Sequence, residues 1–289
     1  MKQATIIIII AALALASLSC GLTIDLPVDR VTTGPTRTDD INIPAPDADE
    51  IDLVLSFGAG DFKLDGGAGD TLVSGTARYN VDDFKPEITI EGNEVRLESG
   101  ELKIEGIPRI SDEVENEWDL ELGDQLINLE INSGAYKGDF DLGDLSLKSL
   151  KVSDGAADVR LKFSKPNRVE MESLSYQTGA SNVRLTDLAN ANFASMVFRS
   201  GAGNYSLDFS GELKRDAEVN IESGISQVTL IVPEGFSAQV IFEGGLTNIE
   251  THGAWQKSGD TYLLEGSGPT LTFTVDMGAG NLILRTTTP

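Results

Sequence analysis

The sequence predicts an all-β protein, a right-handed parallel β-solenoid of about 21–24-residue coils with an N-terminal β-rich cap domain. Three observations predict it. A glycine-centred turn recurs down the second half of the chain, as in Val152-Ser-Asp-Gly155-Ala-Ala-Asp-Val159-Arg-Leu161 and Tyr176-Gln-Thr-Gly179-Ala-Ser-Asn-Val183-Arg-Leu185. Large apolar residues keep fixed distances from that glycine. Residues 51–130 alternate polar and apolar residues in short runs, such as Val95-Arg-Leu97-Glu. A repeat of this size marks a stacked architecture, in which each unit buries its apolar face against the next.

The turn glycines are Gly58, Gly134, Gly155, Gly179, Gly201, Gly224, Gly245 and Gly278; from Gly134 on they are 21, 24, 22, 23, 21 and 33 residues apart. With each glycine as zero, position −3 is Leu55, Ile131, Val152, Tyr176, Phe198, Ile221, Phe242 or Val275. Position +4 is Phe62, Val159, Val183, Tyr205, Val228, Ile249 or Leu282, and leucine dominates +6. Residues two apart share one face of a strand, so both positions point inward. The spacing therefore predicts a strand, a glycine turn and a second strand in every coil. Val169-Glu-Met171 and Val219-Asn-Ile221 supply a third face. Glycine is expected at the turn for its access to positive φ, and the alanines at +1 for a tight corner. Asp61, Asp158, Asn182, Asn204, Gln227, Asn248 and Asn281 at +3 form a polar ladder if the coils stack in register. Parallel crossovers are right-handed almost always, which sets the predicted hand.

Two irregularities stand out. The coil at Gly134 reads as carrying two extra residues before Phe140 and Leu142. The 33-residue gap holds Ala254-Trp-Gln-Lys-Ser-Gly-Asp-Thr-Tyr262, a hairpin turning at Ser258-Gly259 that projects from the stack or caps it. A stack needs covered ends, because a bare terminal strand is a template for aggregation.

Ahead of the repeat, Met1-Lys2-Gln3 and the apolar run Ile6–Leu18 read as a signal peptide over residues 1–19. Cys20, the sole cysteine, directly follows that run and is the expected lipidation site of a bacterial lipoprotein. Residues 20–50 read as a lipidated, disordered tether, because Pro27, Pro35, Pro44 and Pro46 stand among Thr, Asp and Asn. The cap domain then spans 51–130 and the repeat domain 131–289.

The chain carries a formal charge of −24. Residues 20–130 hold 27 acidic against 8 basic side chains, and residues 131–289 hold 19 against 13. Such acidity argues against nucleic acid as a partner, since phosphates are repelled. The run Asp112-Glu-Val-Glu115-Asn-Glu117 reads as an acidic loop. A single histidine, His252, supports neither a histidine-based triad nor a multi-histidine metal site. Neither a metal nor a cofactor is expected, and no catalytic residue is assigned. The nearest approach to a solenoid lyase or hydrolase site is Asp139, Asp141 and Asp144 beside Lys137, which reads better as a solvated strand face. Trp255 and Tyr262 can stack on sugar rings or pin the hairpin. The candidate ligand surface is therefore Tyr136, Asp139, Asp141, Asp144, Trp255 and Tyr262.

The run from Leu53-Val-Leu-Ser-Phe-Gly-Ala-Gly through Gly66-Gly-Ala, Val73-Ser-Gly-Thr-Ala and Phe84-Lys-Pro86 resembles the N-terminal domain of the bacterial toast-rack family. Asn116-Glu-Trp118-Asp-Leu-Glu-Leu122, Ile131-Asn-Ser-Gly-Ala, Leu188-Ala-Asn-Ala-Asn-Phe193 and Leu207-Asp-Phe-Ser-Gly211 continue the likeness. The repeats also resemble the domains called "putative adhesin" and the C-terminal domain of cell-wall-active antibiotic response (LiaF-like) proteins. The resemblance implies a β-solenoid in an envelope setting and carries no catalytic residues. The resulting expectation is a non-enzymatic, monomeric, exported protein. It meets the membrane through Cys20, and an envelope protein or glycan through its surface.

Overall fold

The structure, a computed structural model, describes residues 33–100 and 114–287. Six strands come first: β1 (Arg37–Pro44), β2 (Ile51–Gly69), β3 (Thr71–Tyr79), β4 (Pro86–Glu91), β5 (Glu94–Ser99) and β6 (Asn116–Gly123). The repeats follow as β7 (Leu126–Asp141), β8 (Ser146–Lys162), β9 (Met171–Thr186), β10 (Phe193–Asp208), β11 (Ala217–Pro233) and β12 (Ser237–His252). A short pair, β13 (Gln256–Ser258) and β14 (Thr261–Leu264), precedes β15 (Thr270–Thr287). All fifteen belong to one sheet, whose main path runs β1-β3-β6-β2-β7-β8-β9-β10-β11-β15-β12-β14-β13; β4 and β5 pair off β2 to one side.

The motif glycine does not end a strand. Each repeat is one strand of 16 to 19 residues with the glycine inside it. Burial shows how the strand turns. In β9, Thr178 is buried, Gly179 and Ala180 are both exposed, and Ser181 is buried again. The alternation slips by one residue, so two neighbours face out at the corner and both arms face one interior. No separate third strand forms, because Val219–Ile221 lies within β11 and Val169 lies outside any strand. The connections instead add Leu142, Phe163, Leu188, Ala191 and Phe209 to the core.

Register follows the columns aligned in the sequence. Leu55 stands opposite Ile131, Ile131 opposite Val152, Val152 opposite Tyr176, and Tyr176 opposite Phe198, all in parallel pairs. Glycine at the corner has a different cause from the one anticipated. None of the eight motif glycines has positive φ. A Cβ on Gly179 instead meets the Gly155 carbonyl oxygen at 2.4 Å, and one on Gly245 meets that of Gly278 at 2.5 Å. Positive φ falls two residues later, at Gly60, Gly203 and Gly280. The alanine column faces solvent, and it admits Ile225 (73% exposed) and Leu246 (88% exposed). No interior crowding keeps it small.

The coil at Gly134 contains no extra residues. Gly138 pairs with Val159 and Phe140 with Leu161, so Gly138 itself holds position +4. Its missing side chain is replaced by neighbours, since a Cβ there meets Tyr136 at 2.8 Å and Phe140 at 3.1 Å.

Both ends depart from simple stacking. β15 inserts between β11 and β12, so the last strand in sequence is not last in the sheet. The hairpin explains the insertion. β14 runs antiparallel along Ala238–Ile241 of β12, which leaves the opposite edge of β12 for β15. At the other end the layer beyond β2 is split. β5 pairs with the first arm of β2 and β6 with the second. Side chains replace the missing corner: Gly58 N donates to Ser99 Oγ at 3.0 Å, and Asn116 Nδ2 donates to the Ala59 carbonyl at 2.8 Å. Antiparallel β3, β1 and β4 complete this end.

Two boundaries therefore move. The tether expected over 20–50 does not include Arg37–Pro44, which pairs with β3 and buries Ile41 and Ile43. Two alternating isoleucines suffice to hold a strand that its prolines and acids disguise. The boundary expected between 130 and 131 falls inside β7, which pairs with β2 along its whole length. The signal segment, Cys20 and residues 101–113 lie outside the described residues.

Gly179→Ala is expected to lower stability by about 1–3 kcal/mol, the scale of overpacking a fitted site. Ala180→Ser, one residue on and exposed, is expected to stay within about 0.5 kcal/mol. Urea unfolding of both variants checks this, and equal effects at the two positions would refute the close-approach account.

Candidate functional site

The outward face of the second arms carries two columns, at +3 and +5. From β3 to β12 the +3 column reads Arg78, Glu117, Asp61, Lys137, Asp158, Asn182, Asn204, Gln227, Asn281, Asn248. Its first half is charged and its second half is amide. All the ladder residues are exposed, and Asn182 Nδ2 donates to Asp158 Oδ1 at 3.4 Å. The +5 column reads Thr76, Asp119, Lys63, Asp139, Arg160, Arg184, Ser206, Thr229 over β3 to β11.

Ion pairs stitch the charged half. Arg78 meets Glu117 at 2.9 Å and Glu115 at 3.0 Å, while Lys63 meets Asp65 at 2.8 Å and Asp119 at 3.2 Å. The hydrogen bonds that the Lys63 ammonium donates to Asp65 and Asp119 hold its pKa well above the ordinary range. A cleft of about 640 Å³ lies over this half, lined by Asp61, Lys63, Arg78, Lys137, Asp139 and Arg160 among others. Glu115 and Glu117, the end of the acidic run, are thus pinned to Arg78.

The anticipated ligand residues do not gather in one place. Tyr136 is 5% exposed and points into the core, where its hydroxyl donates to Asp154 Oδ1 at 2.7 Å. It is no surface residue, because it fills the space left by Gly138. Asp139 is exposed on the +5 column. Asp141 is half-buried; it accepts from the Gly143 and Ser164 amides and pairs with Lys162 at 3.2 Å. Burial pushes its carboxyl up, but these partners outweigh it and the net shift is downward. Asp144 sits at φ 61° and is clamped by Arg168 at 3.0 Å and Lys165 at 3.3 Å, which lower its pKa in that order. Asp141 and Asp144 line one cleft, each held by its own basic partner, while Asp139 lines the cleft over the charged columns. At the far end Trp255 packs against the core and Tyr262 is buried under Lys257, whose ammonium lies 5.2 Å from the ring centroid. Both pin the hairpin and leave no aromatic platform. His252 is exposed, 3.9 Å from Glu250. Among the described residues no group of three or more His, Cys, Asp or Glu is placed to hold a metal ion.

A polar seam inside the corner was not anticipated. Positions −1 and +2 point inward and carry Asp154, Thr178, Ser181, Ser200, Ser223 and Ser226. Thr178 donates to Ser181 at 2.5 Å, and Ser223 bonds Ser200 at 2.8 Å and Ser226 at 2.6 Å. Asp154 accepts from both Tyr136 and Tyr176. Burial raises the Asp154 carboxyl, while the two phenols pull the other way. The signal lay in the sequence, as small polar residues flanking each glycine, but alternation through a straight strand assigns half of them to the outside.

The sequence model for the N-terminal domain of toast_rack, DUF2154, matches residues 32–173 and again 166–231. The chain belongs to the toast-rack family. No curated protein matches it. Among solved structures, the toast-rack chain is similar to a "putative cell adhesion protein" of Clostridium sporogenes, at 19% identity over 88% of this chain and 100% of that one, with a TM-score of 0.47. A "putative lipid binding protein" of Parabacteroides distasonis matches at 13% identity over 88% and 99%, TM-score 0.42. A "putative adhesin" of Bacteroides fragilis matches at 11% identity over 89% and 99%, TM-score 0.38.

Two outcomes follow from this geometry. Because the folded Asp154 carboxyl titrates above its ordinary value of 3.8, the folded state holds its proton more tightly than the unfolded state. Its contribution therefore weakens stability as pH rises above 3.8. Asp154→Asn is expected to remove that component, so wild-type stability should fall relative to the variant as pH climbs from 3 to 7 in urea titrations. Tyr262→Ala is expected to cost about 3 kcal/mol, the scale of truncating a core aromatic. A loss of ligand capture with unchanged stability would instead make Tyr262 a binding residue.

Proposed function

We propose that this toast-rack chain is a non-enzymatic, lipid-anchored cell-envelope protein. Its sheet, read as a right-handed β-solenoid of 21–24-residue coils, serves as an adhesion or protein-interaction surface or as an accessory in envelope-stress response. The carrying observation is the pair of outward columns, which stay in register from β3 to β11 and place one side chain per strand about 4.8 Å from the next. Such a surface suits an extended partner better than a small substrate. The ion pairs of Asp141 with Lys162 and of Asp144 with Arg168 and Lys165, and the place of Asp139 in a different cleft, support the non-enzymatic reading. Several structural neighbours are named as adhesins, and the proposal rests on the surface itself.

In this reading Cys20 carries the lipid, and the protein stands as a monomer on the outer side of the cytoplasmic membrane, or at the outer membrane of a diderm cell. Several acyl chains are needed for a firm anchor, because each buried methylene contributes only about 0.8 kcal/mol. No helix among the described residues is long and apolar enough to cross a membrane.

Metabolic labelling with a palmitate analogue is the test. The expected result is a labelled protein that partitions into detergent, with both properties lost in Cys20→Ser. An unlabelled mature protein removes the anchor. Turnover of an envelope polysaccharide by the purified protein, abolished by Asp141→Asn, sinks the non-enzymatic reading.

A further inference from the structure

Arg160 and Arg184 stand directly opposite one another on neighbouring parallel strands β8 and β9. Both are exposed. Like charges facing each other across a strand pair are destabilising. In a chain of charge −24 a carboxylate partner is easy to supply, and six other described arginines have one: Arg37, Arg78, Arg96, Arg168, Arg199 and Arg215 all make ion pairs, while Arg285, on β15, faces no second arginine. Among the described residues no carboxylate lies within 4.0 Å of either Arg160 or Arg184. The nearby acids, Asp139 and Asp158, belong to the β7 and β8 side of the pair.

On the β9 to β11 side the surface changes character. The outward +3 and +5 positions there are Asn182, Asn204, Gln227, Ser206 and Thr229, with Arg184 as the single charge. These groups line a cleft of about 220 Å³ that reaches back to Arg160 and to one carboxylate, Asp158, at its β8 edge. It offers two guanidiniums at one end and a row of amides and hydroxyls leading away from them. The floor is backbone and buried side chain, with no exposed apolar patch. Guanidinium forks match planar carboxylates two bonds at a time. Amides and hydroxyls match the hydroxyls of a sugar. Across β8 to β11 the row spans about 14 Å, three strand spacings, and so takes several sugar units.

We propose that this face binds an acidic polysaccharide. Uronate carboxylates sit on Arg160 and Arg184, and the glycan runs across the strands along the amide and hydroxyl rows. The proposal rests on the adhesion reading for its biological sense, but its site and its test are separate from the Cys20 anchor.

Calorimetric titration of the full chain with oligogalacturonate is the test, run beside its methyl ester, which keeps the sugar and loses the charge, and beside polyphosphate, which keeps charge and lacks the sugar. Saturable binding of the acid is expected, weakening as salt rises. The ester should bind at least tenfold more weakly, and so should the acid to Arg160→Gln/Arg184→Gln. The double variant should melt at or above the wild-type temperature, because it relieves the facing charges, so lost binding cannot be assigned to lost fold. Absence of saturable binding, an unchanged affinity in the double variant, or equal binding of polyphosphate each overturns the proposal. None of these results bears on palmitate labelling, so the anchor reading stands or falls independently.

Discussion

The packing of backbone on backbone at the corner column governs everything else in this sheet. From Gly134 to Gly278 a Cβ on each motif glycine would meet the carbonyl oxygen of the glycine in an adjacent strand at 2.4 to 3.0 Å, and only Gly58, at the end of the row, has space for one. Parallel strands can in principle slip by two residues and keep their faces. A slip here would drive a side chain onto a carbonyl, so the glycine column locks the register. Once it is locked, every other column follows, whether apolar inside or polar outside. The hydrophobic term is large but non-directional. It supplies the stability of the interior, while the glycine column selects the one alignment in which that interior is continuous.

The same constraint explains what could be read from the sequence. Columns counted from the glycine became pairing partners, because distance from the corner is the coordinate that stacking conserves. The misreadings share a cause, which is that the spacing was read within one repeat where the answer lay between repeats. Glycine looked like a torsional requirement and is a steric one, imposed by the neighbouring strand. Gly138 looked like part of an insertion because its side-chain volume comes from Tyr136 and Phe140. The place of β15 between β11 and β12 depends on the edge of β12 that the hairpin occupies, which no spacing within one repeat encodes. The polar seam around Asp154 stayed hidden because the burial alternation slips at the corner, which no fixed period of two represents. The candidate site was less legible still: Tyr136 proved internal and Tyr262 structural, and the paired arginines drew no notice among unremarkable strand residues.

Capping follows the same logic from the opposite side. At the N-terminal end the corner of the layer beyond β2 is replaced by two side chains, Ser99 and Asn116, which hydrogen-bond the backbone that a further strand would have paired. The antiparallel strands beyond it tolerate a change of direction because they need no shared corner. Stacking stops where the sequence ceases to offer a glycine and offers a polar side chain of the right length. Buried backbone groups are almost always paired, and these two residues meet that demand without extending the repeat.

Strict register also shapes the surface. When strands stack in parallel, any residue repeated in a column faces its own kind about 4.8 Å away. Amides profit from this, since each can donate to and accept from its neighbours; charges do not. The +3 column resolves most of the conflict by setting Arg78 and Lys137 on either side of the facing acids Glu117 and Asp61, with Asp158 beyond, and then by giving up charge for amides. The +5 column follows the rule as far as Asp139 and breaks it once, at Arg160 and Arg184. Fold stability offers no reason for that break, because a glutamine at either position would fit the column. A toast-rack sheet can thus vary its outward columns one strand at a time while the interior stays unchanged, and the fold by itself says little about what such a protein binds. The places where an outward column departs from electrostatic good sense are where specificity is to be sought.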